Sequence, residues 1–345
     1  MFCDVRYRGL ANGLAEEGEM KRARGGFMLM VIVAGMALHS QSGRAGGLTI
    51  PAEAQRAMDK IYSGDPDGAI PLVRALQQAQ PEHPLGYALE GEALWWKRYC
   101  GALEIKYSMV DAWKRSREPN DESYLRLADQ VVHVAQAQLA KSDTAEMHVY
   151  AGMGWALKAR MYGLRGENRN VAHAGVNART EMLRALELDP QMADATAGVG
   201  IYNYYVATLS PIVKMMRFFM GIPGGDKEKG VKQMEIGMNQ GVLLRADVRF
   251  IFAKSLRQYD QKYDQALAIA EPLVARYPQN PIFLLLAGNL NAELSRNEKA
   301  SEYFHAALKI PAGSADCGAC SGCARCDQCV ARVTNLANSF LNSLH

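Results

Sequence analysis

Leu243–Ile310 reads LLRADVRFIFAKSLRQYDQKYDQALAIAEPLVARYPQNPIFLLLAGNLNAELSRNEKASEYFHAALKI, and it contains one unit written twice, 34 residues apart. At that offset Phe250, Ile251, Phe252, Ala253 and Leu256 fall on Leu284, Leu285, Leu286, Ala287 and Leu290, and Ala266 falls on Ala300. The second half of the unit carries a small residue followed four and seven positions later by apolar ones, then a proline: Ala266, Ala270, Leu273, Pro278. Ala178, Met182, Ala185, Pro190 and Ala69, Val73, Leu76, Pro81 repeat the same offsets, while Ala300, Phe304, Ala307 meet Pro311 one residue early. Offsets of four and seven place these side chains on one face of a helix, and the proline ends the unit.

These residues resemble the tetratricopeptide repeat, whose second helix has an Ala-x3-Phe pattern closed by proline. The resemblance implies an all-α, right-handed superhelical solenoid of antiparallel helix pairs over roughly 51–311. It also implies a protein- or peptide-binding surface and no catalytic residue. The segments around Gly221–Asp226 and Arg276–Asn289 look like an exported bacterial subgroup of such proteins. The tryptophan expected early in each unit is missing. Ala178, Ala266 and Ala300 are expected at one equivalent site, where the second helix approaches the first.

The chain divides into residues 1–45, an array over 46–311 with an insert at 210–226, and a tail over 312–345. Lys21, Arg22 and Arg24 precede the apolar run 27–38, and Gly43-Arg44-Ala45 offers small residues at the two positions a signal peptidase reads, so the segment reads as an export signal. Met20 is then a candidate start. Periplasmic or secreted location is expected, with a membrane anchor formed by 27–38 as the alternative. The formal charge is only +3, and six of the Lys and Arg residues and four of the Asp and Glu residues lie in 1–45. The remainder is nearly neutral, which argues against a nucleic-acid partner.

Inside the array, Gly64-Asp65-Pro66-Asp67-Gly68 reads as a turn. Trp95 and Trp96 read as core, and 163–175 reads as a long connection rich in Gly, Asn and Arg. Tyr202-Asn203-Tyr204-Tyr205 is a polar-aromatic patch, part of which the repeat resemblance would turn toward the concave face, where tyrosines suit peptide contact; core packing is the alternative for at least two of the three tyrosines. The insert should form a short helix over 212–220 outside the regular stacking. Lys214 and Arg217 are expected toward solvent, and Phe218 and Phe219 are either buried between neighbouring helices or available to a partner or a membrane surface. Gly221–Lys227 lacks the spacing of a phosphate loop and reads as a bend, with Asp226 capping the next helix.

Cys317, Cys320, Cys323, Cys326 and Cys329 stand at an unbroken spacing of three. Disulfides, with Cys100 a candidate partner, idle thiols in a Gly-rich linker, metal capture and a thiol-redox relay all remain open for them. No dedicated cofactor is expected beyond a metal ion at this tail. The helix after it, with Val330, Val333, Leu336, Phe340 and Leu344 on one side, should cap the array. No Gly-x-Ser-x-Gly, paired metal histidines or dinucleotide loop is present, so a binding scaffold without catalysis is the leading expectation.

Overall fold

The computed structural model describes residues 47–105, 118–219, 221–310 and 324–344. The export-like segment, Lys114–Arg117 and Cys317, Cys320 and Cys323 lie outside them. Within the described residues the chain is helical without strands: α1 (Ala52–Tyr62), α2 (Pro66–Ala79), α3 (Leu85–Gly101), α4 (Asp121–Leu139), α5 (Ala145–Leu164), α6 (Asn168–Leu188), α7 (Ala193–Thr208), α8 (Pro211–Phe219), α9 (Lys227–Gln240), α10 (Arg245–Ser255), α11 (Tyr263–Arg276), α12 (Pro281–Glu293), α13 (Asn297–Lys309) and α14 (Ala324–Asn342). Consecutive helices pack on one another, giving the pairs α1/α2, α3/α4, α5/α6, α7/α9, α10/α11 and α12/α13. This is an all-α helical-repeat solenoid.

Local chemistry accounts for many of the helix ends. Asp65 accepts a hydrogen bond from Gly68 N at 2.9 Å with Pro66 at the first helical position, and Gly64 holds φ +86°, so the turn forms as its sequence requires. Asp226 caps α9 by accepting from Lys229 N at 3.0 Å. Asn280 caps α12 by accepting from Ile282 N at 2.9 Å, and its Nδ2 donates to Tyr62 O at 2.8 Å. α10 ends in a π turn, Leu256–Asp260, and Gln261 then takes a left-handed φ of 52°.

Ala69, Ala266 and Ala300 are fully buried, each three residues into its helix, as the repeat requires. Ala178 departs from this expectation and is only half-buried. Its helix, α6, begins at Asn168, so Ala178 lies beyond the first turns, where the other alanines meet their partners. Met182 takes over that contact, wedged between Gly152 of α5 and Gly198 of α7. The same early start shortens the connection expected over 163–175 to Arg165–Glu167, where Arg165 pairs with Glu122 at 2.8 Å and Glu167 at 2.7 Å.

α7 packs directly on α9, which leaves α8 outside the stacking. That crossing is close because neither face carries bulk: a Cβ on Gly230 would stand 2.7 Å from Tyr204 N, and one on Gly200 would stand 2.9 Å from Met234 N. α9 is thus a full member of the array, with Gly230, Met234 and Gly237 buried.

The array also closes on itself. The α1–α2 turn meets the α11–α12 turn, where a Cβ on Gly64 would lie 3.2 Å from Gln279 O, and Arg276 pairs with Asp59 at 3.0 Å. α14 packs on α12 and α13 and also on α3, so it is more than the terminal cap expected from its sequence.

Ala266→Leu should destabilise the protein by about 1–3 kcal/mol through overpacking, whereas Ala178→Leu should cost under about 1 kcal/mol. Urea denaturation of both variants checks the difference, and equal costs would contradict the assignment of these sites.

Candidate functional site

The first helices of successive pairs face a shared interior, and α3 fills much of it. Trp96 stands with ring centroids 5.8 Å from Tyr62 of α1, 5.2 Å from Phe250 of α10 and 5.5 Å from Phe283 of α12. Trp95 stacks on Tyr99 at 5.5 Å, and both tryptophans are buried, as core residues should be. The concave side, where an open superhelix offers a groove, is here packed with the chain's own aromatic rings.

A charged cluster sits in the same interior. Arg160 of α5 donates to both Glu92 carboxylate oxygens at 2.8 Å and reaches Asp247 Oδ2 at 3.3 Å; Tyr62 OH donates to that oxygen at 3.2 Å. Lys254, also buried, donates to Tyr99 OH at 2.8 Å. One guanidinium cannot neutralise two buried carboxylates. Burial raises the Glu92 pKa to about 8; Arg160 opposes the shift, and the neighbouring Asp247 carboxylate adds to it. For Arg160, burial alone would lower the pKa, but the Glu92 and Asp247 carboxylates outweigh it and leave it raised. Sequence reading missed this cluster. Its only signal was local: Glu90 and Glu92 interrupt an apolar helix before Trp95, and Asp247 interrupts the apolar stretch before Phe250.

The residues marked in the sequence are distributed differently. Asn203 and Tyr204 are buried and bonded internally, Asn203 Nδ2 to Gln233 Oε1 at 2.7 Å and Tyr204 OH to Asp260 Oδ2 at 2.8 Å. Lys227 also pairs with Asp260, which the π turn delivers. Tyr202 and Tyr205 are half-buried; Tyr202 OH donates to Pro223 O at 2.9 Å and Tyr205 OH accepts from Ser255 Oγ at 3.2 Å. Burial raises the pKa of Tyr202, Tyr204 and Tyr205 alike, so their phenols stay neutral.

On α8, Lys214 is exposed as expected. Arg217 is not: its guanidinium turns back to donate to Ile222 O at 2.7 Å, which closes the bend at Gly221. The outward surface is apolar, with Met215 57% and Phe218 75% exposed. The side chain of Phe219 lies outside the described residues. His148, bound to Asp143 at 2.7 Å and Glu181 at 2.6 Å, and His173, 6.2 Å from the Trp155 ring, belong to separate surroundings.

Cys329 forms a disulfide with Cys100, their Cα atoms 5.0 Å apart. The side chain of Cys326, like Cys317, Cys320 and Cys323, is outside the described residues. Among the described residues no group of three or more His, Cys, Asp or Glu could hold a metal ion, and no helix is long and apolar enough to cross a membrane.

A carboxyl that keeps its proton in the folded state to about pH 8, and loses it near 4.5 when unfolded, stabilises the fold fully below about 4.5. That contribution is lost as pH rises through about 8. Glu92→Gln should therefore show a smaller fall in melting temperature between about pH 5 and about pH 9 than the parent, and an equal fall would contradict the assignment.

A family model described as Tetratricopeptide repeat matches residues 255–315, which span the π turn and α11 to α13. A search of curated proteins gave no match. Tetratricopeptide repeats serve generally as protein-interaction scaffolds, and the helix-pair stacking on both sides of Ser255 is of the same kind. Residues 255–315 thus carry a tetratricopeptide repeat, and the other described helix pairs stack in the same all-α helical-repeat manner.

Proposed function

We propose that this protein is an exported, non-catalytic scaffold that holds a protein partner on α8, outside the solenoid's filled interior. One observation carries the reading: the array extrudes an amphipathic helix between α7 and α9 and leaves Met215 and Phe218 on its outward surface. Adaptable Met and Phe side chains beside Lys214 suit an apolar peptide or helix face bearing an acidic residue. Half-buried Tyr202 is tied to the same bend through Pro223. Export is supported by the basic and apolar run at 21–38 with Gly43-Arg44-Ala45, and by a disulfide of the kind that persists in oxidising compartments.

A photo-crosslinking residue placed at Phe218 should yield protein adducts in envelope extracts. Met215→Ser with Phe218→Ser should reduce capture about tenfold or more while moving the melting temperature by no more than about 2 °C. Adducts with lipid alone, or none, would overturn the reading.

A further inference from the structure

α14 joins two distant parts of the array. Near its start the Cys100–Cys329 disulfide ties it to the end of α3, across 229 residues of sequence. One turn on, Arg332 Nε donates to Leu103 O at 2.7 Å, and its guanidinium pairs with Glu104. Toward its other end Val333, Ala337 and Phe340 are buried, and the Phe340 ring lies 5.1 Å from Phe304 of α13. Steps of four and three make these residues one stripe, so α14 is an amphipathic helix laid in a groove walled by the end of α3 and by α12 and α13.

Its attachment differs from that of the repeat helices. Fourteen residues, 310–323, separate it from α13, and those after Pro311 carry no repeat signature. Its buried stripe is short and includes one alanine. We propose that this groove is a receptor for an amphipathic helix, that the disulfide locks α14 into it in cis, and that reduction lets the α14 of a second copy of this chain take its place. The occupant is specified by fit, since the partner copy's helix brings the same Val, Ala and Phe stripe and the same arginine for Glu104. The connecting residues reach about 40 Å when extended, enough for α14 to leave while α13 stays packed. They also hold α14 near its own groove at an effective concentration on the order of millimolar, so exchange belongs to clustered copies.

The covalent step is thiol–disulfide exchange with a dithiol reductant. One reductant thiolate attacks a sulfur of the bridge, most openly that of half-buried Cys329, and the bond to the other cysteine breaks with release of its thiolate. The second reductant thiol resolves the mixed disulfide. The reductant ends as a disulfide, and its two protons and two electrons end on Cys100 and Cys329.

A fluorescent peptide of residues 324–344, with both of its cysteines replaced by serine, tests this by anisotropy. The full chain carrying Cys100→Ser and Phe340→Ser, whose own α14 is weakened, should bind the peptide saturably, and a Phe340→Ser peptide should bind about tenfold more weakly or worse. The oxidised parent chain should bind neither. Absence of uptake by the variant, shown folded by circular dichroism, or equal uptake by the oxidised parent, would overturn the proposal. Should the variant not fold, parent chain reduced with dithiothreitol in excess peptide decides: uptake supports the proposal and its absence overturns it.

Discussion

Trp96 is the constraint on which the closed form of this solenoid depends. Its indole touches rings from α1, α10 and α12 as well as Tyr99 on its own helix, so one residue fixes how far apart three non-adjacent helices can stand. Large aromatic side chains bury roughly 150–250 Å² each, and their edge-to-face contacts add to that burial. An open superhelix would leave this surface wet. The backbones of α3, α10 and α12 remain apart, and the rings span the gap.

Closure carries an electrostatic cost at the same centre. Glu92, Arg160 and Asp247 come from three helices, and with Trp95 beside the guanidinium there is little room for water to screen them. A buried ion cluster is weak evidence of added stability, but removing one partner leaves an uncompensated charge. The cluster therefore restricts the interior to one arrangement. A proton on Glu92 balances the charge, and alkaline pH works against it.

What could be read from the sequence was local. Leu243–Ile310, the turn at Asp65-Pro66 and the cap at Asp226 are decided by neighbours within a few turns, and their structures follow from residue spacing. The match of a family model to 255–315 falls on the same stretch. Closure was not legible, because it rests on pairs such as Tyr62 with Asp247, 185 residues apart, and Lys254 with Tyr99, 155 apart. Ala178 shows how a correct pattern can still misplace a residue: its offsets fit, but an earlier helix start moved the close contact to Met182. Arg217 shows how charge alone misleads, because an unsatisfied carbonyl at a bend drew its guanidinium inward. The tyrosine patch followed the repeat's first helix, yet two of its four residues serve the packing of α7 on α9 and the π turn.

With the interior occupied, the surfaces we propose for recognition are α8, outside the stacking, and the groove that α14 occupies against α3, α12 and α13. Both readings assume that the concave face is filled in solution. Acrylamide quenching of a Trp113→Phe, Trp155→Phe variant, which leaves only Trp95 and Trp96, measures this directly. The account predicts blue-shifted emission that acrylamide barely quenches; red-shifted emission quenched like that of free tryptophan would mean an open groove and contradict it.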